Sequence, residues 1–118
     1  MAAKDDLGRH GEHLAARFLQ DVGFVILDRN WRCAHGEIDL VARDRGETVF
    51  IEVKTRSSRA FGHPFEAITA RKLARLRRLA AAWCEAHPGK HGPIRIDAIA
   101  VIAPRDEPAQ LEHLMRVF

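Results

Sequence analysis

Cysteine is scarce in this chain: its 118 residues include two, Cys33 and Cys84. Two thiols build neither a disulfide framework nor a zinc site, and both read as reduced thiols of a cytoplasmic protein. Long apolar runs are also missing, and none approaches the roughly 18 residues that a bilayer span needs. The opening "MAAKDDLGRHGEH" has no apolar stretch followed by a cleavage site, so no secretory signal is expected. No internal repeat and no low-complexity tract appears, which sets repeat architectures aside. What remains is one soluble domain, residues 1–118, able to bury about two thirds of its unfolded surface.

Charge is present in quantity but unevenly spread. Between Lys54 and Arg78 stand eight Lys and Arg (Lys54, Arg56, Arg59, Arg71, Lys72, Arg75, Arg77, Arg78) against one acid, Glu66. That segment carries +7 within a chain of net charge +3, so the rest carries −4. A basic block in an otherwise acidic protein points to a polyanion partner; taken alone, it is more often a solvated helix face.

The order of elements reads α-β-β-β-α-β with a tail. Residues 5–22 repeat apolar residues at helical spacing, with Leu7, Gly11, Leu14, Ala15, Phe18, Leu19 and Val22 on one stripe and Glu12 at its edge. Asp5 or Asp6 caps this helix and Gly23 ends it. "FVILDRNWRC", "GEIDLVAR" and "ETVFIEVKTR" read as three strands. "SSRAFGHP" is a loop, and residues 65–87 form a second helix with Ile68, Thr69, Leu73, Leu76, Leu79, Ala80 and Trp83 inward. On that helix Arg71, Arg75 and Arg78 make an outer stripe, while Lys72 points with the apolar residues. "IRIDAIAVIAP" is a strand buried on both faces, and the tail "LEHLMRVF" is ambiguous between strand and helix. These elements predict an α/β fold: a mixed sheet of four to five strands flanked by helices.

The second and third strands pose the functional question. By alternation, Ile38, Leu40 and Ala42 share one face with Val49, Ile51 and Val53, which predicts one clean buried face. Glu37, Asp39, Glu52 and Lys54 are then collected on the other. A turn centred on Arg45-Gly46 sets Asp39 directly across from Glu52 and Glu37 across from Lys54. Two opposed carboxylates repel, and one must take up a proton unless a cation neutralises the pair. Hard oxygen ligands suit Mg²⁺ or Mn²⁺, and Lys54 beside them can stabilise charge on a phosphate or orient water. The competing reading is a set of exposed charges on an open sheet face.

"GEIDLVA" followed by "VFIEVKTR" resembles the D…(D/E)-x-K signature of the restriction-endonuclease-like nuclease superfamily, whose core has the same α-β-β-β-α-β order. Two subsets are closer: the archaeal Holliday junction resolvases and the YraN-like bacterial family. To the latter "GEHLAARFL", "NWRCAHGEIDLVARD", "VFIEVKTRSSRAFGHPFEAIT", "RKLARL" and "RIDAIAV" are similar in the same order, over residues 8–103. The resemblance implies that Asp39 and Glu52 bind metal together with the carbonyl of Val53, that Lys54 is the catalytic lysine, and that Glu12 is the helix-one acid. It implies metal-dependent cleavage of DNA, and a homodimer by analogy with the resolvases. The proline that often precedes the first Asp is absent; Ile38 stands there. Glu37 belongs to the YraN-like pattern alone, and its role is open.

Arg56, Ser57, Ser58, Arg59 and Lys72 are candidate phosphate contacts, extended by Arg71, Arg75 and Arg78. His10 and His13 flank Glu12, but the strand acids favour a hard ion over zinc. His63 reads as a turn residue, His87 and His91 as surface, Trp31 as a possible base-stacking ring and Trp83 as core. Asp97, in an apolar strand, pairs near Arg95 or falls near the site. A binding module that keeps the fold without turnover is the alternative to the nuclease.

Overall fold

The computed structural model describes residues 3–58, 60 and 62–117. In chain order it contains α1 (Ala3–Asp21), β1 (Val25–Cys33), β2 (Gly36–Asp44), β3 (Glu47–Arg56), a 3-10 turn (Pro64–Ala67), α2 (Ala70–Ala86), β4 (Ile94–Ile102) and β5 (Gln110–Leu114). The five strands lie in one sheet in the order β1-β2-β3-β4-β5. All neighbours are antiparallel except β3 and β4, which are parallel and joined through α2. The tail is thus the edge strand β5. No described helix is long and apolar enough to cross a membrane.

The β2–β3 turn has the predicted centre. Arg45 and Gly46 both take left-handed backbone (φ 52° and 84°), and Asp44 pairs with Glu47, which makes a two-residue hairpin. The expectation of one buried sheet face needs correction, because both faces are covered. Against α1 lie Leu40, Ala42, Val49, Ile51, Val53, Ile99 and Val101, all buried. Against α2 lie Ile38, Val41, Phe50 and Ile96. Ile38 and Leu40 share parity but belong to different layers, so alternation fails where β2 passes Asp39. A sheet covered on both sides has no open face on which to collect charge. The acids are gathered instead at one end of the strands.

α1 seats its small residues on the sheet: Gly11, Ala15 and Ala16 are buried beside Leu19. Val22, expected on this stripe, is exposed because the helix stops at Asp21 and Gly23 (φ 102°) turns the chain. α2 begins later than the periodicity indicated. Thr69 is its N-cap, with its hydroxyl accepting the Lys72 N–H at 3.2 Å. Ile68 is extended and the preceding residues form the 3-10 turn, so Ile68 and Thr69 leave the inner stripe. His63 caps that turn: its Nδ1 accepts the Phe65 N–H at 3.1 Å, and its Nε2 lies 2.6 Å from Glu112 of β5.

Asp97 takes the first of its two expected places. It is fully buried on β4 and receives Arg95 through Nε and Nη2 (2.9 Å each), His113 Nε2 (2.7 Å) and the Arg116 N–H (3.1 Å). Arg95 also reaches Asp44 (2.9 Å) and Glu47 (3.1 Å). Burial works against the charge on Asp97, but the hydrogen bonds from His113 and Arg95 outweigh it and hold the carboxyl below its usual range. His87 and His91 are not plain surface residues. His87 stacks on Trp83 (4.2 Å, 17°) and His91 meets the same ring edge-on, because the buried indole offers the largest apolar surface beside the turn. Trp31 packs half-buried beside that cluster.

Candidate functional site

The β2–β3 ladder runs from Asp44–Glu47 to Leu40–Ile51 in the predicted register, and its pairing ends there. Beyond that point the Asp39 carboxylate accepts the Val53 N–H at 2.8 Å. A side chain has taken over the bond a backbone carbonyl would make, and the two strands part around it. Glu52 of β3 lies close enough to Asp39 for its charge to act on that carboxyl. The expected Glu37–Lys54 pair is absent from the described contacts: Glu37 faces Arg32 on β1 instead, and the two form an ion pair of 3.0 Å. The reason is the same divergence, which removes β3 as a partner for the first residues of β2.

Glu12 arrives from α1, and one glycine brings it there. A Cβ on Gly11 would overlap the Thr55 side chain of β3, so any other residue would push the helix off the sheet. With glycine at 11, carboxylate oxygens of Glu12, Glu37 and Asp39 lie within 4.8 Å of one another. Asn30 of β1 holds Glu12 in this group, donating through Nδ2 to Oε1 at 2.8 Å. Asn30 takes left-handed backbone (φ 51°) inside a strand, which asparagine tolerates better than most residues. Sequence reading passed over Asn30 and Arg32. An asparagine within an otherwise strand-like run was the available signal, since strands disfavour it.

The electrostatics follow from the crowding. Burial is the largest influence on Asp39, followed by the charge of Glu52 and, more weakly, that of Glu12; together they raise its carboxyl to about 8, against the pull of the Val53 N–H. Lys54 and Lys72 are close neighbours, and burial plus the charge of Lys54 lowers the pKa of Lys72. Lys72 therefore belongs to the surroundings of Glu52 and Lys54 rather than to open solvent. These acids supply only hard oxygen donors, and no described histidine or cysteine joins their cluster.

The remaining cations line the approaches. Arg71, Arg75 and Arg78 are exposed along α2, and Arg75 lies near Gly36 at the β1–β2 turn, next to Glu37. Arg56 ends β3, Ser57 follows it, and Ser58 Oγ accepts the Ala60 N–H at 3.3 Å. Arg59 lies outside the described residues. A cleft of about 620 Å³ opens beside the acids, lined by Leu7, Gly8 and Glu12 of α1 and by Val53, Lys54, Thr55, Arg56 and Ser57. Another depression, about 470 Å³, lies between α2 and β4 and includes none of the acids.

The family model described as "Uncharacterised protein family UPF0102" matches residues 11–101. Among similar proteins is a UPF0102 protein of Beutenbergia cavernae, 55% identical over 117 residues and 99% of each chain. A UPF0102 protein of Arthrobacter sp. (strain FB24) is 53% identical over 99% of each chain. One from Frankia alni is 52% identical over 100% of this chain and 98% of its own.

Proposed function

The chain belongs to the UPF0102 family, and for it we propose metal-dependent hydrolysis of phosphodiester bonds in DNA, in particular branched or otherwise structured DNA. The observation that carries this reading is the convergence of Glu12, Glu37 and Asp39 where β2 and β3 part, with the charge of Glu52 acting on Asp39 from β3. Among the described residues one ion pair joins this group, Glu37 to Arg32. Burial and like charge hold Asp39 in its protonated form at neutral pH, a condition that a divalent cation relieves.

The donor set fits such an ion. Asp39, Glu52 and the Val53 carbonyl are its ligands in this reading, with Glu12 and Glu37 in reach; Mg²⁺ or Mn²⁺ suits oxygen donors of this kind. A strand residue sends its N–H and C=O to the same side, so the Val53 carbonyl faces the side on which Asp39 takes the Val53 N–H. When bound, such an ion lowers the pKa of water and offsets charge building on the phosphate.

The chain's own groups do the rest. Lys54 donates to a phosphate oxygen as its charge increases. Glu12, held at Oε1 by Asn30, presents its second oxygen to orient water. Arg56, Ser57, Ser58 and Lys72 hold neighbouring phosphates, with Arg71, Arg75 and Arg78 farther along; Arg59 joins them on sequence grounds alone. Such contacts set position and affinity without reading sequence.

The test is cleavage of labelled duplex, single-stranded, flap and four-way-junction DNA by the purified protein with Mg²⁺, with Mn²⁺ and with chelator. Metal-dependent cuts lost in Glu52→Ala and Lys54→Ala are the expected result. Salt-sensitive binding without cuts, unchanged in both variants, would replace the nuclease with a binding module.

A further inference from the structure

Among the described residues, Arg32 makes the one ion pair that reaches the acids, and stability does not explain it. Its Nε donates to Glu37 Oε2 at 3.0 Å, while 80% of its side chain is exposed. An ion pair this exposed adds little to stability and fixes a long side chain that would otherwise move freely. What the bond does achieve is placement. Arg32 and Glu37 are direct partners across β1 and β2. Glu37 in turn has a carboxylate oxygen within 4.8 Å of those of Glu12 and Asp39. The guanidinium is therefore held at the rim of the acids by Nε. Its two terminal nitrogens, an edge that can grip an oxyanion through two parallel bonds, meet no described residue.

The surroundings match. A depression of about 350 Å³ is lined by Arg32, Cys33, Gly36 and Glu37. The cleft that holds Lys54, Arg56 and Ser57 contains Glu12. Oxygens of Glu12 and Glu37 lie within 4.8 Å of each other, so the two depressions adjoin at the acids. The strand order puts Arg32 on one side of β2 and Lys54 and Arg56 on the other. Arg75 of α2 comes to the same β1–β2 turn, with its Cδ 3.9 Å from where a Gly36 Cβ would stand. We infer that Arg32 binds a substrate phosphate on the β1 side of the acids, that Glu37 is its positioning residue, and that the nucleic-acid backbone is thus held on both sides of the bond to be cut. The inference rests on the nuclease reading for the place of that bond, and goes beyond it in adding a contact on β1 and giving Glu37 a task. A carboxylate beside a polyanion repels it, and a guanidinium aimed by that carboxylate offsets the repulsion.

Binding of labelled duplex and four-way-junction DNA, read by fluorescence anisotropy over a range of salt in chelator, tests this without a metal. Arg32→Ala weakens binding about tenfold and lowers the salt slope by about one, the loss of one phosphate contact. Its Tm stays within about 2 °C of the wild type, because the pair is exposed. Arg45→Asn removes the same charge at the far end of the β2–β3 hairpin, on left-handed backbone that asparagine tolerates, and leaves the slope unchanged. Glu37 supplies the sign that decides. As a mere negative charge near DNA, its loss in Glu37→Ala would tighten binding. As the residue that aims Arg32, its loss weakens binding about threefold. Glu37→Gln, which keeps an oxygen to accept from Nε, restores the wild-type affinity.

A protein that cuts DNA while Arg32→Ala binds with unaltered affinity and slope, or while Glu37→Ala binds more tightly, overturns this assignment and leaves the nuclease reading standing. A lowered slope in Arg32→Ala and weaker binding in Glu37→Ala, in a protein that never cuts, keep the phosphate contact and remove the nuclease. A wild type that neither binds nor cuts DNA overturns both.

Discussion

At the turn end of the β2–β3 hairpin, Asp44 and Glu47 meet Arg95, which also holds Asp97, and Arg116 and His113 complete the set. At the other end, Glu12, Glu37 and Asp39 converge with Glu52 close to Asp39, and their described hydrogen-bond donors are Asn30, Arg32 and the Val53 N–H. Both groups are carboxylates crowded on the same sheet. In the first, every buried charge has its counter-charge, and Asp97 is driven to stay ionised. In the second, burial and like charge drive Asp39 toward its protonated form. The contrast separates charge used as structure from charge held ready for a ligand.

The largest effect should come from breaking the satisfied end. Asp97→Asn leaves Arg95 buried with part of its counter-charge gone, and should cost about 3 kcal/mol, or roughly 10 °C in Tm. A thermal melt checks this. Because the folded pKa of Asp97 lies below its unfolded value, its contribution is present above the unfolded value and is lost as pH falls through the folded one.

At the other end the sign reverses. Asp39→Asn should stabilise the metal-free protein at pH 7–8 by about 1–3 kcal/mol, because it removes the penalty of a buried carboxyl among like charges. In the wild type that carboxyl is raised to about 8 from 3.8. Between those values the folded chain keeps a proton that the unfolded chain has released. Its contribution is therefore full below the lower value and fades as pH rises through the upper one. Melts in chelator from pH 5 to 8.5 should show the variant gaining on the wild type as pH rises. Millimolar Mg²⁺ or Mn²⁺ should raise Tm in the wild type and not in the variant. A variant no more stable than the wild type at pH 8 would erase the contrast.

The smallest effect should come from Asn30→Gly, which keeps the left-handed backbone and removes only the hydrogen bond to Glu12. Stability should fall by under about 1 kcal/mol. Apparent Mn²⁺ affinity, read by calorimetric titration, should fall about threefold to tenfold if Asn30 orients a ligand.

Much of this was legible in the sequence, and the illegible parts have physical causes. Arg45-Gly46 fixed the hairpin register, because a two-residue turn leaves no freedom in who faces whom. The element order and the burial of β4 followed from periodicity and β-branching. The assignment of sheet faces failed at Asp39, since strict alternation assumes a continued ladder and β2 leaves β3 there. The start of α2 was missed because Ile68 and Thr69 fit the helical spacing while the 3-10 turn before them breaks it. The cluster of Glu12 with Glu37 depends on how closely α1 sits on Thr55, a distance that no linear pattern contains.

The bond between His63 and Glu112 joins two distant parts of the chain. Nδ1 of His63 is occupied by the Phe65 N–H, so the ring proton resides on Nε2 and points at the Glu112 carboxylate. The imidazole is thereby committed to one tautomer and one orientation. It works as a latch between the segment leaving β3 and an edge strand 49 residues later. Everything between them, α2 and β4 included, is enclosed in a loop that this latch closes. The residues that follow β3 are thus tied, at His63, to the last strand of the sheet.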